Sequence, residues 1–155
     1  MAVREIVPHT DAFLRKVSKP VKDFDESLWQ LLDDMHETLS EVTGSGLSAV
    51  QVGVLKRAFI ININGINMEF VNPTIIKQTG TQYKKEGCLS VTDLPFAYVR
   101  RPYEVTITAF DRYGYKFTYT CEDWTAVCVS HEHDHLDGIL YIDKKCIPPK
   151  GREDK

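Results

Sequence analysis

Residues 131–135 read His-Glu-His-Asp-His, and this pentapeptide constrains the fold more than any other stretch of the chain. His131 and His135 lie four residues apart, a spacing that stacks two side chains on one helix face, one turn apart. Two imidazoles so placed can hold one divalent metal, with Glu132 beside them to act on a water molecule. Residues 123–130 contain neither Gly nor Pro, so the helix that the pair needs can form there. The competing reading is a solvated pair on a surface helix.

With 155 residues the chain suits one domain with a buried core. It is 43% hydrophobic and 26% charged, a globular composition. A net charge of −3 argues against direct nucleic-acid binding, which needs a basic excess. No apolar run approaches a membrane span, so no membrane partner is expected. The opening Met-Ala-Val-Arg-Glu-Ile lacks the apolar core of a secretory signal, and a cytoplasmic protein is the expectation. Cys88, Cys121, Cys128 and Cys146 form no CxxC pair. Free thiols are the default, with one available as a metal ligand.

The first long helix is predicted over residues 25–41, where Leu28, Leu31, Leu32, Met35 and Leu39 form a core-facing stripe. Asp25 is its N-cap, with Asp23 and Glu26 as a competing capping-box pair. The stretch 43–46 breaks it. Strands are expected at 58–64 and 68–71, joined by an Asn64-Gly65 turn, and at 104–110 and 115–120. The histidine helix follows, Gly138 ends it, and residues 139–142 are expected to return as a short strand. The order implies an α+β fold with mainly antiparallel strands, an N-terminal helix and a C-terminal metal-binding helix. Residues 1–147 form one expected catalytic domain, and 148–155 a polar, frayed C-terminal tail.

A catalytic metal usually keeps three protein ligands and one open position. The residues after His135 hold no further histidine, and Asp137 sits too close on the same helix end. The third ligand is therefore sought upstream. Cys128 is on the same helix face, seven residues from His135, or about 10.5 Å of axis, and three side chains strung along one face converge poorly. Its other reading, a small buried residue, is preferred. His133 points away from both histidines. Cys88, in a separate segment, can approach the helix from the side and is the first choice, although a lone cysteine is more often a buried thiol.

At this point the chain resembles the peptide deformylase family. Residues 44–51, Gly-Ser-Gly-Leu-Ser-Ala-Val-Gln, resemble that family's first motif; 86–90, Glu-Gly-Cys-Leu-Ser, its second; and 131–135 its third. The three occur in the family's order. The resemblance implies removal of the N-formyl group from formyl-methionine of nascent bacterial or organellar polypeptides, releasing formate. Its partners would be those N-formyl-methionyl chains, met near the ribosome exit region, in a bacterial cytoplasm. It also implies Cys88, His131 and His135 as metal ligands, and Glu132 as the acid/base. Gln51 and the backbone N–H of Leu89 would steady the oxyanion. Gly46 would bond the substrate backbone, and Leu47 and Val127 would line the methionine pocket. The implied metal is Fe(2+), with Zn(2+), Ni(2+) or Co(2+) as substitutes.

The chain departs from the family pattern in places. Ser48 stands where the first motif usually has Ala, and Pro95 comes later than usual after Ser90. The altered 91–99 stretch bears on the methionine pocket. Asp123-Trp124 replaces a usual Gly-Leu, and Ser130 a frequent Gln. Two alternatives therefore stand beside deformylation: a related metalloamidase or peptidase with an altered pocket, and a non-enzymatic, metal-bound peptide-binding domain.

Overall fold

The computed structural model describes residues 2–154. Helix α1 spans Glu26–Ser40, and Asp25 caps it by accepting from the backbone N–H groups of Ser27 and Leu28. Seven strands follow: β1 Gly46–Ser48, β2 Ala58–Ile63, β3 Ile66–Thr79, β4 Gln82–Glu86, β5 Ala97–Arg101, β6 Glu104–Phe110 and β7 Lys116–Glu122. Helix α2 covers Trp124–Leu136. Strands β1-β2-β3-β6-β7 form one antiparallel sheet in that order, and β4 and β5 pair as a separate ribbon. The fold is α+β and mainly antiparallel, as the sequence implies.

The main sheet lies between the two helices, and strand alternation sorts the core into two halves. Ala58 and Ile60 of β2 pack with Leu28, Leu32 and Met35 of α1. Phe59 and Ile61 join Phe70, Ile107, Ala126 and Val129 on the α2 side. Asn64 and Gly65 carry positive φ angles of 52° and 77°, as a tight hairpin turn requires.

Three expectations are corrected, and one element is added. Strand β3 is far longer than residues 68–71, because Asn72-Pro73 makes a bulge rather than an end; the register shifts between Val71 and Thr74, and again between Ile75 and Lys77. Asn72 holds that bulge by bonding Val21 N and O through its side chain. The β4–β5 ribbon was not foreseen: the inward residues of β4 are Gln82, Lys84 and Glu86, so it shows no apolar alternation. Residues 139–142 are not a strand. Leu140 and Tyr141 are buried, and Asp143 closes a 3₁₀ turn over Tyr141–Asp143 by accepting from Leu140 N at 3.0 Å. The tail is docked rather than frayed: Asp154 exchanges bonds with the backbone of Tyr83, and Arg152 lies over the Tyr83 ring.

Candidate metal centre

Three separate segments converge on one point. Helix α2 brings His131 and His135, whose ring centroids are 5.0 Å apart. The turn after β4 brings Cys88, with Sγ 3.4 Å from His135 Nε2. One ligand atom from each of Cys88, His131 and His135 lies within 4.8 Å of the others. A tetrahedral site with S and N ligands has edges of about 3.6 Å, so the donor set suits a divalent metal. Burial holds the His135 pKa well below the ordinary value, which keeps its imidazole neutral and able to ligate.

A buried network behind the ligands escaped the sequence reading. His131 Nδ1 donates to Glu86 Oε1 at 2.8 Å, leaving Nε2 for the site. Arg101 grips Glu86 through two bonds of 2.8 and 2.9 Å and reaches Asp134 at 2.6 Å. Burial alone would raise the Glu86 pKa, but Arg101 and His131 overcome it and hold the carboxylate at about 2. The Glu of the second motif was a signal for this partner, whereas nothing in the sequence ties Arg101 to it.

Glu132 is buried beside the ligands, and burial pushes its carboxyl pKa up. Its Oε1 accepts from Ser48 Oγ at 2.9 Å. Its side chain lies against Gly46, where an added Cβ would come within 2.8 Å of Glu132 Cγ. Gln51 Nε2 points toward the site, 3.1 Å from Ser90 Oγ and 3.6 Å from Cys88 Sγ. Its Oε1 accepts from Ser48 N at 2.9 Å, which fixes the amide orientation.

A cleft of about 680 Å³ opens onto these groups, reaching Gly46, Gln51, Cys88, Leu89, His131 and Glu132. Val127 lines its wall, and Leu94, Phe96 and Trp124 stand at its apolar side. The divergent 91–99 stretch thus borders the cleft, with the Phe96 ring seated on Gly87. Leu47 does not line it. On β1, Gly46 and Ser48 face Glu132 while Leu47 turns into the core beneath α1. Cys128 Sγ approaches Ser45 O at 3.5 Å and stands apart from the three-donor cluster. His133 is half-buried and also outside the cluster.

Comparison with known proteins gives a consistent result. Residues 3–151 match the family model described as polypeptide deformylase. The peptide deformylase of Caldicellulosiruptor bescii is 49% identical over 93% of this chain and 86% of its own. That of Acetivibrio thermocellus is 48% identical over 93% and 84%. Among solved structures, the Legionella pneumophila peptide deformylase superposes with a TM-score of 0.89 at 40% identity, over 94% of this chain and 87% of that one. The Thermotoga maritima enzyme gives 0.91 at 32% identity, over 95% and 100%.

Proposed function

The chain belongs to the polypeptide deformylase family, and from that premise we propose that Cys88, His131 and His135 hold its catalytic metal, with Glu132 as acid/base. It is a hydrolase that removes the N-formyl group of nascent polypeptides. We take the divalent metal to be Fe(2+) in the native protein, with Zn(2+), Ni(2+) or Co(2+) able to substitute. The observation that carries this reading is the meeting of three donors within 4.8 Å at a cleft that also reaches Glu132.

When bound, a divalent metal polarises the formyl carbonyl and makes water easier to deprotonate. The protein residues divide the remaining work. Glu132 takes the proton of the attacking water and passes it to the leaving amine nitrogen. Gln51 Nε2 and the Leu89 backbone N–H donate to the oxygen that gains charge. The Gly46 backbone bonds the peptide, and Val127 meets the methionine side chain. Glu86 orients His131 through Nδ1. The substrates are formyl-methionyl chains leaving the ribosome in a bacterial cytoplasm. Among the described residues no helix is long and apolar enough to cross a membrane.

The test is formate release from a formyl-Met peptide, set against cleavage of an unblocked peptide, on anaerobically purified protein of measured metal content. Formate release that chelation stops and added metal restores is the expected result. Activity that decays in air but survives nickel substitution supports iron. A second reading, an amidase with a different preference, draws on Phe96 and Trp124 beside the cleft. Cleavage of unblocked peptides without formate release would favour it.

A further inference from the structure

Strand β1 carries a group that the reaction scheme above leaves without a role. We infer that Ser48 is a positioning residue: its hydroxyl anchors Oε1 of Glu132 and leaves Oε2 to carry the proton. The inference rests on the reading of Glu132 as acid/base.

Ser48 is 0% exposed, and its Oγ lies 2.9 Å from Glu132 Oε1 and 3.0 Å from Glu132 O. A hydroxyl has one hydrogen to give, and a carboxylate is the stronger acceptor of the two. The terminal torsion of a glutamate is broad and roughly two-fold, so a carboxylate without a donor samples many orientations. Here one oxygen is held by Ser48, while the other packs over Gly46, 2.9 Å from where a Cβ would sit. The glycine leaves room for Oε2, and the serine decides which oxygen that is. Through the cycle Ser48 keeps its own hydrogen. Oε2 gains a proton from water and gives it to the amine nitrogen.

The same residue serves Gln51 through its backbone N–H. Ser48→Ala removes the hydroxyl and keeps that bond, so it separates the two roles.

The experiment measures kcat, KM, metal content and melting temperature for Ser48→Ala, Glu132→Gln and the double variant. We expect kcat of Ser48→Ala to fall roughly tenfold, the usual scale for a hydrogen bond to a charged group, with KM and metal content unchanged. In the Glu132→Gln background the same change should cost nothing further, since the group that Ser48 positions is gone. An unchanged kcat in Ser48→Ala would overturn the inference. So would an equal fractional loss in both backgrounds, the mark of a general structural role. Glu132→Gln with parental turnover would instead remove the acid/base reading, and this inference with it.

Discussion

Cys88 and Cys128 share a chemistry and differ in what surrounds them. Cys88 Sγ faces His135, whereas Cys128 is buried, meets a backbone carbonyl, and has its thiol pKa pushed well up by desolvation. A thiol so desolvated resists becoming the thiolate that a metal needs. Cys88→Ser should therefore lower metal affinity by at least the roughly 10–100-fold that losing a ligand's supporting partner costs. Cys128→Ser should leave metal content near parental. Equal metal content in both variants would reject Cys88 as a ligand. Gln51→Leu removes the amide while keeping bulk, and it should lower turnover roughly 10²–10³-fold with little change in KM. A fall in melting temperature with parental turnover per folded molecule would make Gln51 a structural prop instead. The histidine pair was legible because helix periodicity converts four residues of spacing into contact. Cys88 was legible as the upstream thiol able to approach the helix from the side, and the second motif pointed to the same residue. Ser48 was visible as a departure, but its contact with Glu132 spans 84 residues of chain, and no local pattern encodes that.

At the scale of elements, the site depends on two pieces that the sequence hardly announces. Strand β1 is three residues long, too short for an alternation signal, yet it sets Gly46 and Ser48 against Glu132. Gly46→Ala would place a Cβ 2.8 Å from Glu132 Cγ, so either the strand or the glutamate must move. Turnover should fall by at least about tenfold, since small displacements of a catalytic group are costly, while metal content stays parental. Retained parental turnover would show that the glutamate tolerates being shifted. The β4–β5 ribbon carries Glu86 and Arg101 at opposite ends of its register, where Glu86 pairs with Ala97 and Gln82 with Arg101, and the Arg101 side chain spans the distance to the carboxylate. The ribbon's buried polar positions hide it from hydrophobic patterning. Asp123 enters α2 at φ 58°, a left-handed conformation that a non-glycine residue rarely adopts. Lys84 Nζ, 2.6 Å from its carboxylate and 5.1 Å from the Trp124 ring centroid, braces that entry. The helices, by contrast, were legible: α1 has a continuous apolar stripe and a cap, and α2 is bounded by Gly138.

For the whole molecule, the α+β class followed from element order, but the strand order did not. The chain leaves the main sheet after β3 to form the β4–β5 ribbon and returns with β6 to pair with β3, and only the three-dimensional packing of two cores selects that neighbour. The same packing distributes charge. Far from the metal centre, Glu69 accepts from Arg112 at 2.7 and 3.0 Å and from His36 at 2.7 Å, tying β3 to the loop before β7 and to α1. Burial opposes its charge, yet His36 and Arg112 together lower its pKa from the ordinary 4.5 to about 2. A carboxylate whose pKa is depressed on folding stabilises the native state fully above its unfolded value, and that contribution is lost as pH falls toward the folded value. The window here runs from about pH 4.5 down to about 2. Glu69 keeps some solvent contact, so the full shift is discounted to about 1–2 kcal/mol. Glu69→Gln should therefore destabilise the protein by that amount at pH 7 and by much less near pH 2. Its denaturant midpoint should fall less steeply between pH 4.5 and 2 than that of the parent. Formate release at neutral pH should stay near parental, because neither the cleft nor the three donors touch this cluster. Denaturant titrations at pH 7, 4.5, 3 and 2 measure the difference. Parallel pH curves for parent and variant would mean that the pairs around Glu69 contribute nothing to the acid sensitivity of the fold, leaving it to other carboxylates, Glu86 foremost.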